Sequence, residues 1–207
     1  MSLRILSLGV HAELDVVASR QRARQIAALC GFGGQDQVRI ATAVSELTRN
    51  VYNYARAGRV DFSVEGETAP QLLVITIADQ GPGIPHLDVV LSGRYQSSTG
   101  MGLGIVGARR LMDQFDIQTA LGAGTTVTLK KLLPYEASLL TPELVGAMGA
   151  QLTALPADVT LSEMQQQNKE LLATLAELNT RQEELLQMTR ELEDTNRGVG
   201  GALRGAR

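Results

Sequence analysis

Leu72-Leu73-Val74-Ile75-Thr76-Ile77-Ala78 runs directly into Asp79-Gln80-Gly81-Pro82-Gly83. The apolar and β-branched run predicts a strand lying centrally in a covered sheet. A carboxylate that leaves such a strand into a turn needing Gly is well placed to hydrogen-bond a ligand, because Gly lets backbone and ligand approach closely. Taken alone, Asp-x-Gly-x-Gly also reads as an ordinary turn, so the flanking sequence decides.

Upstream, Arg59 to Val64 alternates and predicts a partner strand, and two helical patterns precede it. The first spans 13–30, with Leu14, Val17, Ala18, Ile26 and Leu29 as its apolar positions and Gly31 as its stop. The second spans 35–56, with Asp36 near its start and a face of Ile40, Val44, Leu47, Val51 and Tyr54. Downstream come a Gly/Ser-rich loop over 79–101, a helix over 102–115, and strands over 117–121 and 125–133 joined by Gly122-Ala123-Gly124. These elements predict a two-layer α/β sandwich, a mixed sheet with helices on one face.

Composition supports one such domain with an appendage. The 207 residues carry a net charge of −3, are 44% hydrophobic and hold one cysteine, which excludes disordered, collagen-like and disulfide-rich chains. Cys30 has no partner for an internal disulfide, no run of about 18 apolar residues offers a membrane span, and no signal-peptide pattern opens the chain, so a cytoplasmic protein is expected. Residues 1–134 hold 13 Lys+Arg against 11 Asp+Glu, and residues 135–207 hold 6 against 11. All Tyr and Phe lie before residue 136, which puts the packed core in the first part. Few aromatics and no basic cluster larger than Arg109-Arg110 argue against nucleic acid as a partner.

Three signals within the first part carry chemistry. Glu46 and Asn50 stand four apart on the second helix and project from one face, beside the apolar stripe; by themselves they read as a solvated helix face. Asp79, Gly81 and Gly83 form the turn described above. Ser97-Ser98-Thr99-Gly100-Met101-Gly102-Leu103-Gly104 opens a helix, where glycines and hydroxyls expose backbone N–H groups to an anion that the helix dipole favours. This spacing is neither a P-loop nor a dinucleotide fingerprint.

In order along the chain, Glu-x-x-x-Asn, Asp-x-Gly-x-Gly, Gly-x-Gly-x-Gly and a final Gly-x-Gly-Thr at Gly122 to Thr125 resemble the N, G1 and G2 boxes of the gyrase, heat-shock chaperone, histidine kinase and mismatch-repair (GHKL) ATPases, whose nucleotide site is the Bergerat fold. The resemblance covers roughly residues 5–133. It implies ATP and Mg²⁺ as cofactors, Asn50 as the Mg²⁺ ligand, and Glu46 as the general base. It further implies Asp79 as acceptor of the adenine amino group with Thr125 near it, Gly81 and Gly83 as walls of the purine pocket, and Ser98, Thr99, Gly100, Met101, Gly102, Leu103 and Gly104 as the lid over the phosphates. Phosphoryl transfer depends mainly on positioning and charge neutralisation, so this set suffices.

Within the superfamily, Ile84 to Thr99 lacks the Phe-containing box of histidine kinases, the lid is short, His11 and His86 are the only histidines, and Asn53 stands where those kinases often have Lys. Ala43 to Asn50 and Gly104 to Asp113 are similar instead to the RsbT/RsbW-type anti-sigma serine/threonine switch kinases. That likeness implies a Ser or Thr on a STAS-domain antagonist as the phosphate acceptor, in bacterial signal transduction.

The remainder departs from that family. A connector, 135–157, contains one short amphipathic pattern from Thr141 to Leu155. Over 158–197, Met164, Leu171, Leu178, Leu185 and Leu192 recur every seven residues, with Asn168, Gln182, Thr189 and Asn196 among the alternate heptad positions. This pattern predicts a coiled-coil dimer, while the extra Leu172, Leu186 and Met188 leave a four-helix arrangement open. Residues 198–207 form a Gly-rich tail. The expected function is a Mg·ATP-dependent serine/threonine kinase. The alternative is an ATP-binding regulatory module that signals by conformational change through its coiled coil.

Overall fold

A computed structural model of the chain describes residues 2–92 and 104–154. The heptad segment 158–197 and the Gly-rich tail lie outside the described residues. The elements run β1 (Ser2–Val10), α1 (Glu13–Leu29), α2 (Gly34–Asn50), a π-helical turn Val51–Ala55, β2 (Gly58–Glu65), β3 (Leu72–Asp79), α3 (Leu87–Leu91), α4 (Gly104–Leu111), β4 (Gln114–Ala120), β5 (Gly124–Leu132) and α5 (Pro142–Ala154).

The strands form one sheet in the order β1-β2-β3-β5-β4, with β3 central as its apolar run requires. Leu73, Ile75 and Ile77 are buried on the helical side, in register with Val64, Phe62 and Val60 of β2 and with Lys131, Leu129 and Val127 of β5. The two-layer α/β architecture is as expected, but the sheet is antiparallel at every pair rather than mixed. The reason lies in the β4–β5 hairpin. The chain leaves β3, passes through α4 and enters β4 running parallel to β3. The tight return then inserts β5 between them, so the two parallel strands never pair.

Strand β1 was not anticipated. Its register against β2 slips between Arg4 and Leu6, leaving Ile5 as an extra, buried residue. That bulge breaks the two-residue alternation by which a strand is read. The buried face of α1 agrees with the expected one at Ile26 but otherwise consists of Val16, Ser19, Ala23 and Ala27, while Leu14 is 64% exposed. Ser19, Ala23 and Ala27 let α1 lie close against α2, and these small residues do not stand out in an apolar pattern. Along α2 and into the π-helical turn, the stripe Ile40, Val44, Leu47, Val51 is buried as expected, yet Tyr54 is exposed. The π-helical turn adds a residue per turn and rotates Tyr54 out of line.

The helix expected in 141–155 is α5. Leu140, Val145, Met148 and Leu152 join the same core as the sheet, and Gly149 lies against the Ile5 carbonyl. Gln71, buried before β3, fastens this segment. Its Oε1 accepts from Leu140 N at 2.8 Å, and its Nε2 donates to Leu140 O at 3.1 Å and to Gly66 O at 3.0 Å. No helix among the described residues is long and apolar enough to cross a membrane.

Gln71→Leu keeps the volume but orphans the buried Leu140 N–H and C=O, and an unpaired buried polar group costs about 1–3 kcal/mol. The urea midpoint of the variant is therefore expected to fall, and an unchanged midpoint would show that Leu140 is satisfied without Gln71. Burial pushes the Cys30 thiol up to about 12, well above its ordinary value. It should stay neutral and unreactive toward a disulfide reagent at pH 8 in the native protein, then react when urea unfolds the chain.

Candidate nucleotide site

Helix α2 presents Glu46 and Asn50 one turn apart, both half-buried at the margin of the buried stripe. Thr48 does not compete for that margin, since its hydroxyl donates back to the Val44 carbonyl at 2.8 Å. Asn50 is the last α-helical residue before the π-helical turn. Ala55, at the end of that turn, packs on Gly81 so closely that a Cβ at position 81 would stand 2.6 Å from the Ala55 Cβ. The end of α2 is thus held against the loop that follows β3, which places Asn50 and Asp79 on adjoining segments.

Asp79 is the last residue of β3, in register with Gly58 on one side and Thr125 on the other. Its Oδ1 accepts from Gly81 N at 2.8 Å and from Thr125 N at 3.2 Å. These bonds fix the rotamer and, among the described residues, leave Oδ2 unengaged. Two glycines make the geometry possible. Gly83, at φ +74°, abuts the Ala120 carbonyl, and Gly124, at φ +87°, abuts the Asp79 carbonyl; a Cβ at either would collide with backbone in a conformation that L residues avoid. Gly122 N also donates to Pro82 O at 2.9 Å. The loop after β3 and the β4–β5 turn therefore form one tightly packed unit around Asp79.

Thr119, which the sequence reading missed, ties this unit together. Its hydroxyl accepts from Ile84 N at 2.9 Å, donates to Gly124 O at 3.1 Å and lies 3.0 Å from the Thr125 hydroxyl. A Thr on an alternating edge strand carries no signal of such a role, because the role depends on register with Thr125.

Across the site, Gly104 opens α4, and its N–H donates to Glu46 Oε2 at 3.2 Å. The carboxylate thus reaches an amide at a helix N-terminus, the kind of group that cradles phosphate. Gly107 and Ala108 are buried in α4, which packs on α2. Ser98, Thr99, Gly100, Met101, Gly102 and Leu103 lie outside the described residues. Arg20 of α1 is a further group the sequence reading passed over. Burial, and then the like charges of Arg24 and Arg49, push its guanidinium below its ordinary value, while Glu46 pulls the other way. Among the described residues no three His, Cys, Asp or Glu side chains gather into a metal cage. Of the expected site residues, the structure brings together Asp79, Gly81, Gly83 and Thr125 at one end of the sheet, and Glu46 with Gly104 on the neighbouring helices.

Comparison with known proteins bears on the same residues. The family described as histidine kinase-, DNA gyrase B-, and HSP90-like ATPase matches residues 35–135, a span that includes Glu46, Asn50, Asp79 and Thr125. The serine/threonine-protein kinase RsbT of Bacillus subtilis is 41% identical over 124 residues, covering 60% of this chain and 93% of that protein. An anti-sigma F factor of Clostridium beijerinckii is 29% identical over 97 residues, covering 44% of this chain and 68% of that protein. The sensor histidine kinase WalK of Bacillus subtilis is 31% identical over 115 residues, 49% of this chain but 18% of its own length. With RsbT matched over nearly its whole length and the G1-type turn built around Asp79, the chain belongs to the histidine kinase-, DNA gyrase B- and HSP90-like ATPase family and resembles its RsbT-type switch kinases.

Proposed function

We propose that this chain is a Mg·ATP-dependent serine/threonine protein kinase of the anti-sigma switch type, acting on a Ser or Thr hydroxyl of a STAS-domain antagonist. The observation that carries the reading is the placement of Glu46 within hydrogen-bond reach of the amide that opens α4. A carboxylate there stands beside the phosphate-binding amides and can reach a hydroxyl attacking the γ-phosphorus. The similarity to RsbT, a protein named as a serine/threonine kinase, supports a protein hydroxyl rather than water or histidine as the acceptor.

In this reading Asp79 Oδ2 accepts from the adenine amino group, with its other oxygen already spent on Gly81 and Thr125. Asn50 offers a neutral amide oxygen at the end of α2, which fits a hard cation whose other ligands are phosphate oxygens and water. Asn50 would therefore hold Mg²⁺, and the ion supplies charge neutralisation on the phosphates when bound. Gly104 and the preceding residues 98–103 hold the phosphates through backbone amides. Glu46 takes the proton of the acceptor hydroxyl as its oxygen bonds the γ-phosphorus, and the bond from that phosphorus to the β–γ bridging oxygen breaks to release ADP. Residues 158–197 dimerise the kinase through their heptads.

Incubation of the chain and a purified STAS-domain protein with γ-labelled Mg·ATP is expected to give acid-stable label on the partner. Glu46→Ala should lower that transfer by about 10²-fold or more, the contribution typical of a general base, with ATP affinity changed only a few-fold. Acid-labile label would instead indicate a histidine acceptor, and bound ATP with no transfer would indicate a nucleotide-gated conformational switch. Light scattering should give about twice the 22.2 kDa chain mass, reverting to a monomer when 158–207 are removed. A monomeric full chain would refute the coiled-coil assignment.

A further inference from the structure

The Thr119 hydroxyl has one proton and three neighbours. The Ile84 N–H can only donate to it, and the Gly124 carbonyl can only accept from it, at 2.9 Å and 3.1 Å. Either hydroxyl could donate across the 3.0 Å contact with Thr125; with the Thr119 proton on Gly124, it is Thr125 that donates. Thr119 and Thr125 are directly opposed in the β4–β5 ladder, and Thr125 is directly opposed to Asp79 in the β5–β3 ladder, so the three side chains lie in one row across the sheet.

We infer that Thr119 is a specificity-determining positioning residue: by taking the Thr125 proton it leaves the Thr125 hydroxyl, like Asp79 Oδ2, an acceptor toward the nucleobase. The inference rests on the adenine reading of Asp79 and deepens it. A row of two acceptors is satisfied by an exocyclic amino group, which brings two N–H donors. A 6-oxo group meets it with lone pairs against lone pairs. The discrimination is then set by the direction of one hydroxyl proton, controlled from a residue that touches no ligand. Because Thr119 also holds Ile84 N, the same hydroxyl keeps the loop after Gly83 seated on β4, so proton direction and loop position are fixed together.

The test is calorimetric binding of ATP and of GTP, each with Mg²⁺, to the full chain and to Thr119→Val and Thr119→Ser. Valine keeps the shape but frees the Thr125 proton, which can then point at a 6-oxo oxygen. The ratio of the GTP to the ATP dissociation constant is expected to fall about tenfold, the worth of one hydrogen bond. Serine, which keeps the hydroxyl, should preserve the ratio. A merely structural role would weaken both nucleotides alike, and an unchanged ratio in Thr119→Val overturns the inference. Should Thr119→Val fail to fold, Thr119→Ala reads the same quantity, since it too removes the acceptor of the Thr125 proton: a lowered ratio supports the inference and an unchanged one overturns it. A wild-type chain that binds both nucleotides equally would overturn the adenine reading together with this inference. A wild-type preference for ATP that survives Thr119→Val overturns this inference alone.

Discussion

Two backbone amides, from Gly81 and Thr125, converge on one oxygen of Asp79, and most of the candidate site is organised by that convergence. For both to reach the same oxygen, the loop after β3 must curl back over the strand end and β5 must lie directly alongside β3. The first condition brings Gly81 onto Ala55 and so attaches the end of α2 to the pocket. The second is met by inserting β5 between β3 and β4, which makes the sheet antiparallel throughout. The carboxylate is thereby oriented before any ligand arrives, and little conformational freedom remains to be lost on binding.

At the other end of the site the same economy applies to Glu46. Its carboxylate accepts from the amide of Gly104 and lies in the field of Arg20, so a residue on α2 is electrostatically connected to both flanking helices. Lys131 performs a structural counterpart on the β5 side. Buried in the row of Leu73, it is compensated by Asp113 at 3.1 Å and Asp36 at 3.5 Å and joins β5 to the start of α2.

The parts of this arrangement that local sequence determines were legible. The apolar run of β3 cut short by Asp79, the one-turn spacing of Glu46 and Asn50, and the hairpin glycines each follow from a rule that acts over a few residues. What escaped reading depends on distant contacts. Ile5 sits in a bulge that shifts the alternation of β1, α1 buries Ser19, Ala23 and Ala27 beside Val16 and Ile26 while Leu14 is exposed, and Tyr54 leaves its stripe because of a π-helical residue. Thr119 shares the face of Phe115 and Ile117 on β4, but its hydrogen bonds follow only from the register with Thr125 and the approach of Ile84. Helix α5, with Gly146 and Gly149 interrupting its apolar side, reads as a connector, yet Gln71 and the β1 edge draw it into the core.

The most direct measurement of the central claim is the ATP affinity of Asp79→Asn by calorimetry, with the fold checked by circular dichroism. The substitution keeps an oxygen for the Gly81 and Thr125 amides and replaces the outward oxygen with an N–H donor, so the scaffold is preserved while the acceptor is reversed. If Asp79 Oδ2 receives the adenine amino group, ATP binding weakens by at least about tenfold with the fold intact. Wild-type affinity in a folded Asp79→Asn variant would contradict the account.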